Sequence, residues 1–251
     1  GNIRPYQLEA FKNWVANGYR GILQMATGTG KTITSCYALV KLFYEMKKQN
    51  KKQIVIVLVP YKHLVDQWVE ELSRFGYKPC KVYSDITNWD KLLNREYQRL
   101  NLDLEQKHLS IVTTNDSFKT DKFQNILNVL KKRYEVVLVA DEAHNLGATN
   151  NMKKLPNDIN YRLGLTATPV RHKDDSGTQK LIDYFSRIVF KYDLKDAINS
   201  GYLTQYYYYP ILVYLDEVES NRFYNILSEF EGYSLKELKH LARTDIYFQE
   251  V

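Results

Sequence analysis

QMATGTGKT, residues 24 to 32, places two glycines and a lysine within nine residues. It follows an apolar run, GILQMA at 21 to 26, and opens a long helix-forming segment, 31 to 48. A strand, a glycine-rich turn and a helix in that order predict a backbone cradle for phosphate. Gly28 and Gly30 allow conformations in which a Cβ would clash, so successive amides can face phosphate oxygens. The helix that starts near Lys31 adds the positive end of its dipole. Lys31 is expected to reach the β and γ phosphates of a nucleotide and Thr32 to hold magnesium, with Thr27 and Thr29 completing the loop. The pattern departs from G-x-x-x-x-G-K-[ST] once, where Met25 stands in place of the first glycine. The plainer alternative is a glycine-rich turn with a solvated lysine, and the flanking strand and helix weigh against it.

Further apolar runs of strand length recur at 53 to 59, 109 to 113, 135 to 140 and 161 to 166, with a short candidate at 78 to 83. Helical patterns lie between them at 61 to 75 and 121 to 133. This alternation predicts an α/β fold with a mostly parallel twisted sheet and helices on both faces. In 61 to 75 the residues Leu64, Val65, Trp68 and Leu72 share one apolar face, and Gly76 stands at a C-cap position. Residues 88 to 107 read as a helical insertion or a longer crossover. Residues 145 to 160 and 171 to 179 read as polar surface segments, the second of them mobile. Beyond these, 180 to 200 look helical, 205 to 215 look like one strand that Pro210 confines to an edge, and the tail from 216 is helical. That tail ends without a capping residue, which reads as a cut inside a longer chain.

The second half of the site is VVLVADEAH, residues 136 to 144. A buried strand delivers Asp141 and Glu142 to its carboxyl end, where ligands bind in open α/β sheets. Two adjacent carboxylates there are costly unless a cation or a function accounts for them. Asp141 is expected to hold magnesium through water, and Glu142 to orient and deprotonate an attacking water. Alone, an Asp-Glu pair after a strand is more often a solvated turn; its coincidence with the cradle is what gives it weight.

With 251 residues and 44% apolar composition, the chain is long enough for one large domain, or for one domain with an appendage. No run of about 18 uncharged apolar residues and no basic-then-apolar leader pattern occurs, so no membrane partner is expected and a cytoplasmic setting is the default. Cys36 and Cys80 stand far apart without CxxC spacing, which argues against zinc and against a disulfide scaffold and leaves two buried thiols. A net charge of +6 and a pI near 9.0 suit a phosphate-bearing partner without identifying one.

In order, ATGTGKT, DEAH and LTATP resemble motifs I, II and III of superfamily 2 helicases and translocases, across roughly residues 3 to 210. The resemblance implies the N-terminal RecA-like motor domain of a DEAH-box enzyme that uses ATP and Mg2+. It adds His144 to Glu142, Lys31 and Asp141 as a catalytic candidate, a link between nucleotide and nucleic acid. It also makes Thr166 and Thr168 candidates for coupling hydrolysis to domain movement. The start, IRPYQLEAFKNW, resembles the segment upstream of motif I in which a glutamine, here Gln7, reads adenine, with Arg4 close by. A glutamine amide offers adenine one donor and one acceptor. The alternative is an amphipathic helix with Leu8, Phe11 and Val15 turned inward. VLVPYKHLVDQW and VTTNDSF resemble motifs Ia and Ib, so Lys62, Thr114 and Ser117 become candidate contacts to a nucleic-acid backbone; they serve equally well as turn and cap residues.

His144 in the second motif and Thr166-Ala167-Thr168 in the third depart from the RNA-dedicated DEAD-box pattern. LGLTATPVR and DAINSGYLTQYYYYP instead resemble restriction-enzyme motor subunits of types I and III and XPB-like repair translocases, which implies movement on double-stranded DNA. In that family ATP lies between two RecA-like domains, and the second supplies arginine fingers. Only residues 170 to 251 follow TATP, against about 150 for another complete domain. Arg171 and Arg187 are in the wrong place to be those fingers, and no Q-x-x-G-R-x-x-R string occurs. The expected organisation is therefore an ATP-binding RecA-like domain over 1–210 and a helical appendage over 211–251 that leads to an absent second domain. Nuclease or other subunits are further expected partners. Two other readings stay open: an RNA-directed DExH helicase, and a scaffold whose nucleotide site gates assembly.

Overall fold

The computed structural model describes residues 3–102, 108–147, 152–169, 174–205, 209–211, 214 and 216–229. The chain divides into one unit of Gly1–Gln205 and another of Tyr206–Val251. In the first unit the strands are β1 (Arg20–Met25), β2 (Gln53–Val59), β3 (Pro79–Val82), β4 (His108–Thr114), β5 (Glu135–Ala140), β6 (Tyr161–Thr166) and β7 (Ile188–Tyr192). They form one sheet in the order β3-β4-β2-β5-β6-β1-β7, with every pairing parallel.

β2 shows why the apolar runs are unbroken. All seven of its residues are buried, because the sheet is covered on both sides. Val55, Val57 and Val59 pack into one cluster with Tyr6, Ala10 and Trp14 of α1 (Pro5–Ala16), Leu39 and Leu42 of α2 (Lys31–Lys48), and Val65, Trp68 and Leu72 of α3 (Lys62–Arg74). Ile54, Ile56 and Leu58 point the other way. They meet Leu93 and Leu100 of α4 (Trp89–Leu102), Phe118 of α5 (Asn115–Phe118) and Phe123 and Leu127 of α6 (Asp121–Lys131).

The 88 to 107 segment is thereby explained. α4 is the crossover between the adjacent parallel strands β3 and β4, and it buries Trp89, Leu93 and Leu100; residues 103 to 107 of that expectation lie outside the described residues.

Several stretches fold differently from the pattern in the sequence. The 180 to 200 stretch is not one helix: α7 (Asp175–Phe185) ends at Ser186, β7 follows, and then α8 (Leu194–Asn199). The run IVFKY pairs in parallel with β1, so tertiary pairing overrides a pattern that reads locally as helix. The polar stretch 171 to 179 already belongs to α7 from Asp175, because the Asp174 carboxylate accepts the Gly177 N–H at 2.8 Å as an N-cap; residues 171 to 173 lie outside the described residues. At the described positions of the 205 to 215 stretch, Gln205, Tyr209, Pro210, Ile211 and Tyr214, no strand is present, and Tyr209, Ile211 and Tyr214 are 80%, 85% and 83% exposed; residues 206 to 208, 212, 213 and 215 of that expectation lie outside the described residues. Apolar alternation needs a partner ladder to become a strand, and no described strand pairs there.

Within 145 to 160 the described residues are less peripheral than a surface loop. A 3-10 turn covers Ala143–Gly147, and Leu146, Leu155 and Ile159 join the second core cluster. In the second unit, α9 (Glu217–Glu229) begins where Asp216 and Glu219 cap each other's backbone N–H. Among the described residues no helix is long and apolar enough to cross a membrane.

Candidate functional site

Because all seven strands are parallel, their carboxyl ends share one edge of the sheet. β6 lies between β1 and β5, so the turn after β1, Thr166 at the end of β6 and the carboxylates after β5 are neighbours. This is the position in which an open α/β sheet binds ligands.

The turn after β1 is a left-handed cradle. Gly28 and Gly30 both have φ of 82°, a region in which a side chain is strained. A Cβ at Gly30 would also stand 2.7 Å from Gln7 Nε2. Met25 fits where the general pattern has glycine, since it is the last residue of β1 and its side chain is fully buried. Lys31 is 9% exposed, and its Nζ donates to the Met25 carbonyl at 3.1 Å. The ammonium is thus folded back into the loop. Thr29 is fully buried, with its hydroxyl donating to the Ala26 carbonyl at 2.6 Å. Thr27, Gly28, Gly30, Lys31 and Thr32 line a cavity of about 480 Å³ together with Asp141 and Glu142.

Asp141 is buried, and both of its carboxylate oxygens are engaged. Oδ1 accepts the Glu142 N–H at 3.0 Å, and Oδ2 accepts the Trp68 indole N–H at 2.7 Å. Glu142 has φ of 44° without being glycine. Such a backbone persists only where its surroundings impose it, and strain of this kind clusters at active sites and ligand clamps. His144 Nδ1 lies 3.1 Å from Thr166 Oγ1 and 3.5 Å from Glu142 Oε2. Thr166 Oγ1 in turn donates to the Thr168 carbonyl at 3.0 Å and accepts the Thr168 N–H at 3.1 Å. The structure therefore brings Asp141, Glu142, His144, Thr166 and Thr168 into one connected set. The cavity-lining oxygens of Thr32, Asp141 and Glu142 are hard donors, which suit magnesium rather than a thiophilic metal.

Arg4 and Gln7 sit on the N-terminal side of the cradle. Gln7 is 3% exposed; its Oε1 accepts the Arg4 backbone N–H at 3.0 Å and its Nε2 donates to the Gly30 carbonyl at 3.4 Å. Arg4 lies over the Tyr202 ring at 4.7 Å and donates to the Tyr6 hydroxyl at 3.1 Å. That hydroxyl donates to the Thr29 carbonyl at 2.6 Å, which ties α1 directly to the loop. Leu8, Phe11 and Val15 are not the buried face of this helix; Tyr6, Gln7, Ala10 and Trp14 are.

Lys62, Thr114 and Ser117 line a second cavity of about 530 Å³ on the same sheet edge, beside Tyr61, Trp89, Thr120 and Lys122. Lys62 pairs with Asp85 at 2.8 Å and is half exposed. Thr114 acts as a cap: its Oγ1 accepts the Ser117 N–H at 3.3 Å and donates to the Ser117 hydroxyl at 3.2 Å. Arg187 is exposed and donates to Asn17, and Arg171 lies outside the described residues. Both thiols are unpaired; burial pushes Cys36 up to about 12 and Cys80, which is only partly buried, to about 11. Sequence reasoning missed Trp68 as a polar partner, and Gln67, Glu70 and Glu71 of α3 as part of the first cavity. Only the apolar stripe of α3 was visible in the pattern, and an indole N–H leaves no trace in it.

Comparison with known proteins finds the family described as "Type III restriction enzyme, res subunit" matching residues 1–171. The type I restriction enzyme EcoAI endonuclease subunit of Escherichia coli is 30% identical over 213 residues, which cover 81% of this chain and 23% of that one. The chain thus spans under a quarter of that relative's length. Among solved structures, the ATP-dependent Type ISP restriction-modification enzyme LlaBIII bound to DNA superposes with a TM-score of 0.64 at 21% identity, over 82% of this chain and 16% of that one. The Pyrococcus furiosus Hef helicase domain superposes with a TM-score of 0.55 at 19% identity, over 76% of this chain and 38% of that one. The shared architecture is the RecA-like fold of helicase motor domains.

Proposed function

The chain belongs to the type III restriction enzyme res-subunit family, and on that premise we propose that it is the first motor domain of an ATP-dependent DNA translocase. It would bind ATP with Mg2+ and hydrolyse it as the motor moves on duplex DNA in the cytoplasm. One observation carries the reading: a left-handed glycine cradle with Lys31 opens on the same cavity as Asp141 and Glu142.

In that cavity the Gly28–Gly30 loop and the N-terminus of α2 receive the phosphates, and Lys31 leaves the Met25 carbonyl to neutralise them. Thr32 and Asp141 would hold the magnesium, which supplies charge neutralisation at the transferred phosphoryl group. Among the described residues no three or more His, Cys, Asp or Glu form a metal cage, and magnesium does not need one, since it takes one or two carboxylates, water and phosphate. Glu142 orients and deprotonates the attacking water, with His144 beside it. Gln7 and Arg4 border the base, and the hydrogen bond from Gln7 to Gly30 links base recognition to the loop. Thr166 and Thr168 carry the change toward the DNA side, where Lys62, Thr114, Ser117 and the cavity around them would meet the phosphodiester backbone.

Residues 211–251 would lead to a second RecA-like domain that supplies arginine fingers, and nuclease or other restriction subunits would complete the machine. Without those fingers turnover should be slow, by a factor of about 10³ to 10⁵. Phosphate release by the chain with duplex DNA and Mg2+ tests the proposal. Slow, metal-dependent hydrolysis that disappears in Glu142→Gln is expected; hydrolysis indifferent to Glu142→Gln would contradict it. Competition between duplex DNA and duplex RNA at matched salt distinguishes the two nucleic acids.

A further inference from the structure

Trp68 looks at first like a core residue. It shares the buried face of α3 with Val65 and Leu72 and is 1% exposed. Packing accounts for its ring but not for where its polar atom points. The indole N–H donates to Asp141 Oδ2 at 2.7 Å, and both side chains are buried. A bond from an N–H to a carboxylate in such a setting is short and directional.

The surrounding bonds show how firmly Asp141 is held. Its backbone N–H donates to the Leu58 carbonyl at 2.9 Å, near the end of β2. Its Oδ1 accepts the Glu142 N–H at 3.0 Å. α3 is the helix that follows β2, so one βα unit fixes Asp141 at its backbone through the strand and at its side chain through the helix. A carboxylate offers roughly four lone-pair sites. With one site on each oxygen taken by a fixed donor, others remain for a ligand in the cavity that Asp141 and Trp68 line with Lys31, Thr32 and Glu142.

We propose that Trp68 is a positioning residue for the metal-nucleotide site, its indole N–H fixing the Asp141 carboxylate in the orientation that a hydrated magnesium ion requires. The proposal rests on the nucleotide reading above. It makes α3 part of the support of the metal site, and it accounts for a tryptophan where leucine or phenylalanine would fill the core. Groups that orient a metal-holding carboxylate typically contribute about 10- to 100-fold in metal affinity.

The test uses the 251-residue chain and a fluorescent ATP analogue. Trp68→Phe removes the donor and keeps an aromatic ring. The Mg2+ concentration that half-saturates analogue binding should rise about tenfold or more, while binding of the analogue in EDTA changes by less than about twofold. A folded Trp68→Phe chain with the wild-type Mg2+ requirement would overturn the proposal, because a role in packing alone moves melting temperature and not metal dependence. A second measurement needs no variant. With ¹⁵N-labelled tryptophan, the Trp68 indole resonance should shift when Mg2+ and the analogue are added together. The Trp14 indole, which donates to the Arg162 carbonyl at 2.9 Å near the opposite end of β6, should stay in place. A Trp68 resonance that does not move would also overturn the proposal. If the wild-type chain shows no Mg2+-dependent nucleotide binding, the nucleotide reading itself fails; if it shows that binding and Trp68→Phe retains it, only the role of Trp68 fails.

Discussion

His144 Nδ1 lies 3.1 Å from Thr166 Oγ1, a contact that joins the loop after β5 to the end of β6. The atoms around it determine its sense. The Thr166 hydroxyl proton is directed at the Thr168 carbonyl, and the Thr168 N–H takes one of the oxygen's lone pairs. On the far side of the ring, the Asn145 amide nitrogen, a donor only, lies 3.3 Å from Nε2. Both sides assign the proton of the neutral ring to Nδ1. Thr166→Val should therefore weaken the preference for the Nδ1–H tautomer, which ¹⁵N spectra of the imidazole would read, and lower DNA-stimulated hydrolysis by about tenfold, with nucleotide affinity nearly unchanged. Stimulation at the wild-type level would rule out coupling through this pair.

Glu142 is strained by its φ of 44°. Asparagine tolerates that conformation better than glutamate does. Glu142→Asn is expected to raise stability by a few tenths to about 1 kcal/mol while abolishing turnover. Chemical denaturation curves of the two chains give the comparison. A destabilised Glu142→Asn chain would mean that the glutamate backbone is not under strain.

His108, at the amino end of β4, is held below its ordinary value of 6.5 by burial and by the charge of Lys78. As pH falls the unfolded chain takes up this proton before the folded one does. The stability contributed by the neutral ring is therefore complete above about 6.5 and is lost progressively below it. Melting temperatures between pH 8 and pH 5 should fall, and His108→Gln should flatten the fall. Equal slopes in both chains would show that other groups govern the acid side.

The sequence made legible what depends on local pattern and chain order. β2, with its seven buried residues, was legible as a strand of a covered, mostly parallel sheet, and α2 and β5 from the same alternation of apolar runs and helical segments. The cradle and the carboxylate pair were legible because each combines a residue type with a place at the end of a strand. β7 was not, since IVFKY becomes a strand only by pairing with β1. Nor was the Trp68–Asp141 bond, which spans 73 residues and depends on the lie of a helix over the sheet. Arg162 is a similar case. It is 6% exposed, with its guanidinium donating to the carbonyls of Asn157, Ile159 and Tyr184 and lying over the Tyr184 ring. In sequence it is one more cation in a strand. Thr114 and Ser117, read as either backbone contacts or cap residues, form the cap.

On the proposed reading, a triphosphate occupies the cavity between the Gly28–Gly30 loop and the Asp141–Glu142 pair. A crystal structure of the chain with Mg2+ and a nonhydrolysable ATP analogue tests it most directly. The predicted result has the β and γ phosphates on the loop and Lys31 Nζ moved from the Met25 carbonyl, where it now donates at 3.1 Å, to the phosphate oxygens. An analogue bound elsewhere, with Lys31 still on Met25, would contradict the account.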